Sequence, residues 1–412
     1  MNRYTKLIIS IFTLTFAVIL CGVSAFAVQE TTIGKITSDS GILSVSHRGN
    51  TASYPENSLE AVRSAQKTGA DLISVSVGKT SDGVLVLCEQ NIPLFDICNC
   101  GVSDIGKISY TELSKLRLYG NDGTLSDCRI ATLEEAMKSV DKSVLILDNA
   151  WDYRDEIYAS VKKSGKDGLV ILRTDDSSKK IAEWTAANPG LFVIGVYKAN
   201  IVFNAISHFN RLSENGQPLV QYQSKNYFNV SFNSSVTRLF SGKKGTRTLV
   251  PMYSPDLCGQ REDNCVGWDE MIERGFSAIE TNCIESLVDY IESREKARES
   301  LYGLVSRAEK TDTALFSSVS AKNLRAALTK AQTMMNDTRC SLAEAQKAFS
   351  LLNESMKKLT FHASGDVQKG SLNVTAGKII AAVFVGAVLL AGEIYVYKMH
   401  KPRRKKEKGK TH

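Results

Sequence analysis

The chain has 412 residues, 43% hydrophobic and 23% charged, which is the composition of a folded protein and excludes a disordered or low-complexity one. Its formal net charge is +7, but residues 398–412 hold eight Lys or Arg against one acid, Glu407, so the rest of the chain is neutral. The basic balance therefore belongs to one tail and is no argument for nucleic-acid binding.

Arg3 and Lys6 precede an apolar run from Leu7 to Val23, and Ala25-Phe26-Ala27 supplies small residues for cleavage. Residues 1–27 thus have the pattern of a secretory signal peptide, followed by a linker over 28–41. Short β-rich runs then alternate with helical ones. The patterning predicts strands over 42–47, 72–77, 85–89, 144–148, 169–173, 191–197, 249–253 and 278–281. Helical periodicity falls at 58–68, 110–116, 133–140, 154–163, 179–187, 202–212 and 268–274. Eight strands with intervening helices over 42–292 predict an α/β fold, a (β/α)8 TIM barrel. Residues 219–223 stand as an extra strand candidate, and 224–247 as an insertion. In the second strand Ser74 and Ser76 sit two apart in an apolar run, so both hydroxyls project from one face, opposite Ile73, Val75 and Val77.

From residue 286 the pattern is helical alone. A first helix covers 286–308. Ser320 caps a second, with Leu324, Leu328, Ala331 and Met335 on one face, and the capping box Ser341-Leu-Ala-Glu344 opens a third. This C-terminal three-helix bundle over 293–361 resembles the small FIVAR-type bundles of bacterial surface proteins. A polar linker over 362–377 leads to a transmembrane helix over 378–398, where Ile379 to Val396 is apolar except for Glu393 and long enough to cross a bilayer. The basic tail over 399–412 follows at once, which places it in the cytoplasm. The expectation is a single-pass type I protein of the cell membrane, its bulk extracellular. Disulfides are permitted there, with Cys258–Cys265 the favoured pair and Cys98 or Cys100 with Cys128 next. The absence of any CxxC pair argues against zinc.

The segment from Ser46 to Gln90 carries a resemblance. His47-Arg48-Gly49, Pro55-Glu56-Asn57-Ser58 and Gly69-Ala70-Asp71 with Thr80, Asp82 and Gly83 occur in order, followed by IATLEEA over 130–136 and GFSAIETN over 275–282. Together they resemble the HRG, PENT, strand-two, PTLEE and last-strand motifs of the glycerophosphodiester phosphodiesterase family, which is built on a TIM barrel. The resemblance implies cleavage of a glycerophosphodiester to an alcohol and glycerol phosphate. It also implies a hard divalent cation such as Ca²⁺ or Mg²⁺ on carboxylates, and two histidines moving protons.

Carried over position by position, most of that equipment is replaced. Ser74 and Ser76 occupy the positions of the two strand-two metal carboxylates, Glu89 that of the second histidine, and Gln90 its neighbouring acid. In the fourth strand Asp148 stands for the metal-binding Glu, and Ala150 for the phosphate-binding Lys. His47, Arg48 and Glu56 remain as catalytic candidates, and Asn57, Glu89, Asp148 and Glu280 as ligand-binding ones. His208, the other histidine of the barrel region, falls in a predicted helix away from the mouth. His47 either retains chemistry or hydrogen-bonds within the mouth, and Arg48 and Glu56 are expected to pair with each other.

The leading expectation is a catalytically impaired, membrane-anchored barrel that binds a phosphodiester or polyol phosphate and takes no nucleic acid. Two alternatives stay open. One is an active enzyme with Ca²⁺ or Mg²⁺ at a site rebuilt from Glu89, Asp148 and Glu280. The other is a surface scaffold or adhesion protein.

Overall fold

Runs such as Val144-Leu-Ile-Leu and Val170-Ile-Leu have no polar face, the pattern of strands covered on both sides in a parallel sheet. In the computed structural model, which describes residues 32–38, 41–241, 245–337 and 339–361, they become the wall of a closed barrel. The signal peptide expected over 1–27, the membrane span over 378–398 and the basic tail over 399–412 lie outside these residues. No helix among the described residues is long and apolar enough to cross a membrane.

Nine strands occur in the described residues: β1 Leu43–His47, β2 Leu72–Lys79, β3 Leu85–Leu87, β4 Val144–Asp148, β5 Val170–Thr174, β6 Phe192–Tyr197, β7 Leu219–Tyr222, β8 Arg247–Pro251 and β9 Ala278–Thr281. Eight of them form a parallel ring in the order β1-β2-β4-β5-β6-β7-β8-β9, closed by the pairing of β9 with β1. β3 stands outside the ring, antiparallel to β2.

Two memberships differ from expectation. The run at 85–89 is not a barrel strand: Thr80 to Val84 turn the chain through Gly83, and β3 folds back on β2 as a hairpin. A parallel neighbour needs a crossover of a dozen or more residues, which this connection does not have. The eighth ring strand is instead β7, the supposed extra. Residues 224–247 are then the crossover between β7 and β8 rather than an insertion.

The helices, in chain order, are α1 Thr32–Thr37, α2 Leu59–Thr68, α3 Leu94–Ile97, α4 Tyr110–Leu113, α5 Leu133–Ser139, α6 Arg154–Ser164, α7 Ser178–Ala187, α8 Val202–Glu214, α9 Ser234–Ser241, α10 Cys265–Arg274, α11 Ile284–Glu309, α12 Ser318–Asn336 and α13 Leu342–Lys357. One apolar cluster, including Leu43, Leu72, Val144, Ile171, Leu219 and Leu249, draws on every ring strand and fills the barrel at the strand starts. Ile36 of α1 joins it and stoppers that end. A second cluster lies between ring and helices, with Ile73, Val75 and Val77 of β2 packed among Val62, Ala65, Leu133 and Met137. The alternation in β2 therefore puts Leu72, Ser74 and Ser76 inside and the β-branched residues outside.

α11 is one continuous helix of 26 residues, so it crosses the expected domain boundary at 292/293 without a break. With α12 and α13 it shares a core of Leu301, Leu304, Leu324, Ala331, Ala348 and Leu352. The Ser341–Glu344 capping box is formed. Polar contacts tie this end to the barrel: Ser341 Oγ donates to Glu273 at 2.8 Å, and the Leu342 amide donates to Asp269 at 3.1 Å. Residues Thr313–Ser318 with Thr360 and Phe361 belong to a second unit, in which Phe316 and Phe361 stack at 4.9 Å.

The expected disulfides are not formed; all eight described cysteines are free thiols. Cys258 is buried with its Sγ near the Ser254 and Arg261 carbonyls, whereas Cys265 is exposed on the first turn of α10.

Gly49, which follows β1, has φ +86°, and a Cβ there would lie 2.7 Å from the Ala61 carbonyl carbon of α2. Gly49→Ala is therefore expected to cost about 1–3 kcal/mol. In urea titration its midpoint should fall further than that of Gly165→Ala, whose added Cβ meets nothing within 4 Å.

Candidate functional site

A (β/α)8 barrel presents the ends of its strands at one mouth, where side chains from several strands converge. Here His47, Ser76, Asp148, Arg173, Gln221 and Glu280 come from the ends of β1, β2, β4, β5, β7 and β9. The loop after β1 is bent sharply, Arg48 having φ +57° and Asn57 φ +57°. Asn57 pins that loop to the ring by accepting the Ser76 amide at 2.9 Å. A cleft of about 520 Å³ opens above these groups, lined also by Glu89, Asn149, Lys198 and Tyr253.

The centre of the mouth is a guanidinium. Arg173 is buried and forms a two-pronged ion pair with Asp148 through Nε and Nη2. Its Nη1 donates to Glu280 at 2.5 Å and to Gln221 at 2.9 Å, and its Nη2 donates to the other Glu280 oxygen at 3.0 Å. All five of its N–H donors are thus used. Burial alone would raise the Glu280 carboxyl, but the charge and hydrogen bonds of Arg173 prevail and hold it below the usual carboxylate range.

A second guanidinium governs the rim. Arg48 donates to Glu56 at 2.7 Å and to Glu89 at 3.1 Å. Glu89 also accepts from Ser76 Oγ at 3.0 Å and Asn149 Nδ2 at 2.7 Å, so its charge is met from several sides. Ser74 Oγ accepts the Arg48 amide at 3.3 Å. The two serines are therefore parts of these networks, Ser76 holding Glu89 and Ser74 holding the backbone turn at Arg48.

His47 stacks on Tyr253 with ring centroids 3.5 Å apart, and its Nδ1 lies 2.9 Å from Asn282 Oδ1. That acceptor keeps the proton on Nδ1 and leaves Nε2 as an acceptor. Asn282 is itself placed by Asp263, which accepts its amide at 2.9 Å. Burial holds the His47 imidazole below its ordinary pKa, against the pull of Glu280, so it is neutral near pH 7.

The structure brings together His47, Arg48, Glu56, Glu89, Asp148 and Glu280, and pairs Arg48 with Glu56 as the sequence suggests. Asn57 sits beneath the loop as a backbone clamp. His208 lies in α8, buried beside Tyr197 and away from the mouth, with no hydrogen-bond partner at Nε2. Sequence reasoning missed Arg173, Gln221, Tyr253 and Asn282. Arg173 carried a signal: a charged residue closing the apolar run Leu169-Val-Ile-Leu must face the inside of a ring strand near its end.

A divalent cation of the kind the resemblance implies finds no fitting donor set. The two strand-two positions are neutral hydroxyls, Asp148 and Glu280 are bonded to Arg173, and Glu89 to Arg48. Hard cations need several free oxygen ligands, mostly carboxylate. Among the described residues no group of three or more His, Cys, Asp or Glu is placed to hold a metal ion.

Residues 47–188, from the end of β1 through β5 and α7, match the model of the Glycerophosphoryl diester phosphodiesterase family. Over 99 residues it is 33% identical to mouse Glycerophosphodiester phosphodiesterase 1 and 32% identical to the human protein of the same name. These matches span 23% of this chain and 29% of each relative. A crystal structure of a glycerophosphoryl diester phosphodiesterase from Parabacteroides distasonis superposes with a TM-score of 0.52 at 20% identity, covering 64% of this chain and 90% of that one. At that identity the likeness establishes the shared barrel fold.

Replacing Arg173 by Met strands Asp148 and Glu280 without their cation, and is expected to cost about 3–5 kcal/mol. Adding Glu280→Gln should recover part of that loss in urea titration. Burial also depresses the His208 imidazole. For both histidines the unfolded chain binds a proton that the fold resists. Their contribution is complete above about pH 6.5 and is lost as pH falls through the window below it. Melting temperature followed from pH 7.5 to 5 should drop more steeply in the parent than in His208→Gln.

Proposed function

We propose that this protein is a glycerophosphodiester phosphodiesterase-family barrel that binds a glycerophosphodiester-type ligand at its mouth without hydrolysing it. One observation carries the reading: the guanidinium of Arg173 is bonded to Asp148 and Glu280 at the centre of the mouth. Hydrolysis of a phosphodiester needs charge neutralisation at the phosphoryl oxygens, and proton transfer at both the attacking and the leaving oxygen. An arginine fixed between two carboxylates has no donor left to offer a phosphoryl group. Its carboxylates have no free charge to offer a metal.

The proton equipment is incomplete as well. His47 is neutral and oriented by Asn282 and Tyr253, which suits a general base. The place of its partner is held by Glu89, whose oxygens are engaged by Arg48, Ser76, Asn91 and Asn149. The two-histidine proton transfer that the resemblance implies therefore lacks its second member. The retained cleft and the loss of catalytic groups together favour a binding role.

On the same reading the barrel is displayed outside the cell and tethered by one C-terminal helix. Support comes from the apolar runs at Leu7–Val23 and Ile379–Val396 and from the basic cluster after the second.

The test is direct. The purified full-length chain is incubated with glycerophosphocholine and, in turn, Ca²⁺, Mg²⁺ and Mn²⁺. Release of glycerol phosphate is expected to match that of His47→Ala. Turnover that depends on the metal and disappears in His47→Ala would overturn the reading.

A further inference from the structure

Resting on that non-hydrolytic reading, we infer that the cleft recognises the uncharged polyhydroxyl part of its ligand, and that a phosphate group adds no affinity. Charge balance and free hydrogen-bonding capacity decide what the cleft can hold. The cleft is lined by three cations, Arg48, Arg173 and Lys198, and by four carboxylates, Glu89, Asp148, Asp152 and Asp175. Every cation is paired with a carboxylate, and only Arg173 has all its donors used. Arg173 spends its five N–H groups on Asp148, Glu280 and Gln221, Arg48 bonds Glu56 and Glu89, and Lys198 Nζ donates to Asp175 at 2.7 Å. A phosphate entering here meets cations whose charge is already answered by carboxylates, in a cleft where acids outnumber bases. Ala150 is fully buried and offers no replacement charge.

The capacity that carries no ion pair is on neutral amides and on one exposed carboxylate. Gln90, Asn91, Asn149 and Gln223 each make one side-chain hydrogen bond inside the protein, to Tyr153, Glu89, Glu89 and Gln221 respectively. A side-chain amide has two donors and an acceptor oxygen, so each keeps capacity facing the cleft. Asp152, exposed in the short 3₁₀ turn Trp151–Tyr153, adds carboxylate acceptors for hydroxyl donors. Amides and carboxylates around a space of about 520 Å³ suit vicinal hydroxyls, each of which donates once and accepts from its neighbours.

The experiment is calorimetry on the full-length chain with a matched pair, glycerophosphoinositol and myo-inositol. The two dissociation constants are expected to agree within about threefold and to change little between about 50 and 300 mM NaCl. Asp152→Ala and Gln223→Ala should each weaken myo-inositol about tenfold with no loss of melting temperature. The inference is overturned if glycerophosphoinositol binds tenfold or more tighter and weakens with salt, if neither compound binds, or if both variants bind as the parent does. Phosphorus NMR of the same samples reports hydrolysis separately. Turnover combined with phosphate-independent affinity would sink the non-hydrolytic reading and leave the recognition inference standing. Absence of turnover combined with phosphate-dominated affinity would do the reverse.

Discussion

The arrangement of the mouth depends on one ion cluster, the Arg173 guanidinium between Asp148 and Glu280. A buried arginine is tolerated only where its charge and all its donors are met, and a buried glutamate only where a cation answers it. Four ring strands contribute to this cluster: β4 through Asp148, β5 through Arg173, β7 through Gln221 and β9 through Glu280. The barrel interior beneath is apolar, filled by residues such as Ile146, Ile171 and Leu249. The cluster is thus the polar lid of an apolar core. It crosses the mouth from one side to the other, as a bridging metal ion would.

Other features of the site follow from it. With Asp148 and Glu280 neutralised internally, Ser74 and Ser76 leave no uncompensated cation facing them, so β2 needs no carboxylates. The second arginine, Arg48, takes up Glu56 and Glu89 in the same manner at the rim. Its backbone sits in the left-handed region, a conformation that costs a non-glycine residue about 1–3 kcal/mol and persists where contacts over-determine it. The contacts here are the ion pairs at its guanidinium and the Ser74 hydroxyl at its amide. Neutral His47, sandwiched against Tyr253 and held by Asn282, completes a mouth in which nearly every charged group is answered from within the chain.

Much of the barrel was legible because parallel-strand burial leaves continuous apolar runs, and because helix caps leave local signatures. The capping box at Ser341–Glu344 is formed where the sequence places it. The alternation in β2 correctly sorted its inward and outward side chains. The number of ring strands was right while one member was wrong, because a short apolar run looks the same in a hairpin and in a ring. Only the connection length separates β3 from β7, and that signal lies between the strands, not within them. Among the site residues, those in the motif-bearing loop after β1 were legible. Arg173 and Gln221 were not, since each is a single polar residue in an unremarkable strand and gains meaning only from its neighbours across the barrel.

The chain by itself determined which residues are apolar and at what spacing, and hence the repeated strand–helix pattern and the substitution of Ser74, Ser76 and Glu89 for groups expected from the family resemblance. It also determined that His47 stands without a second histidine near the mouth. What the tertiary structure decided is where the charges go. Asp148 and Glu280 are 132 residues apart, with Arg173 between them in sequence at neither end. Whether two such carboxylates hold a metal, a ligand or an arginine depends on the closure of the ring, because electrostatic pairing at hydrogen-bond range is a property of positions in space. Local sequence does not specify it until the last strand returns to the first.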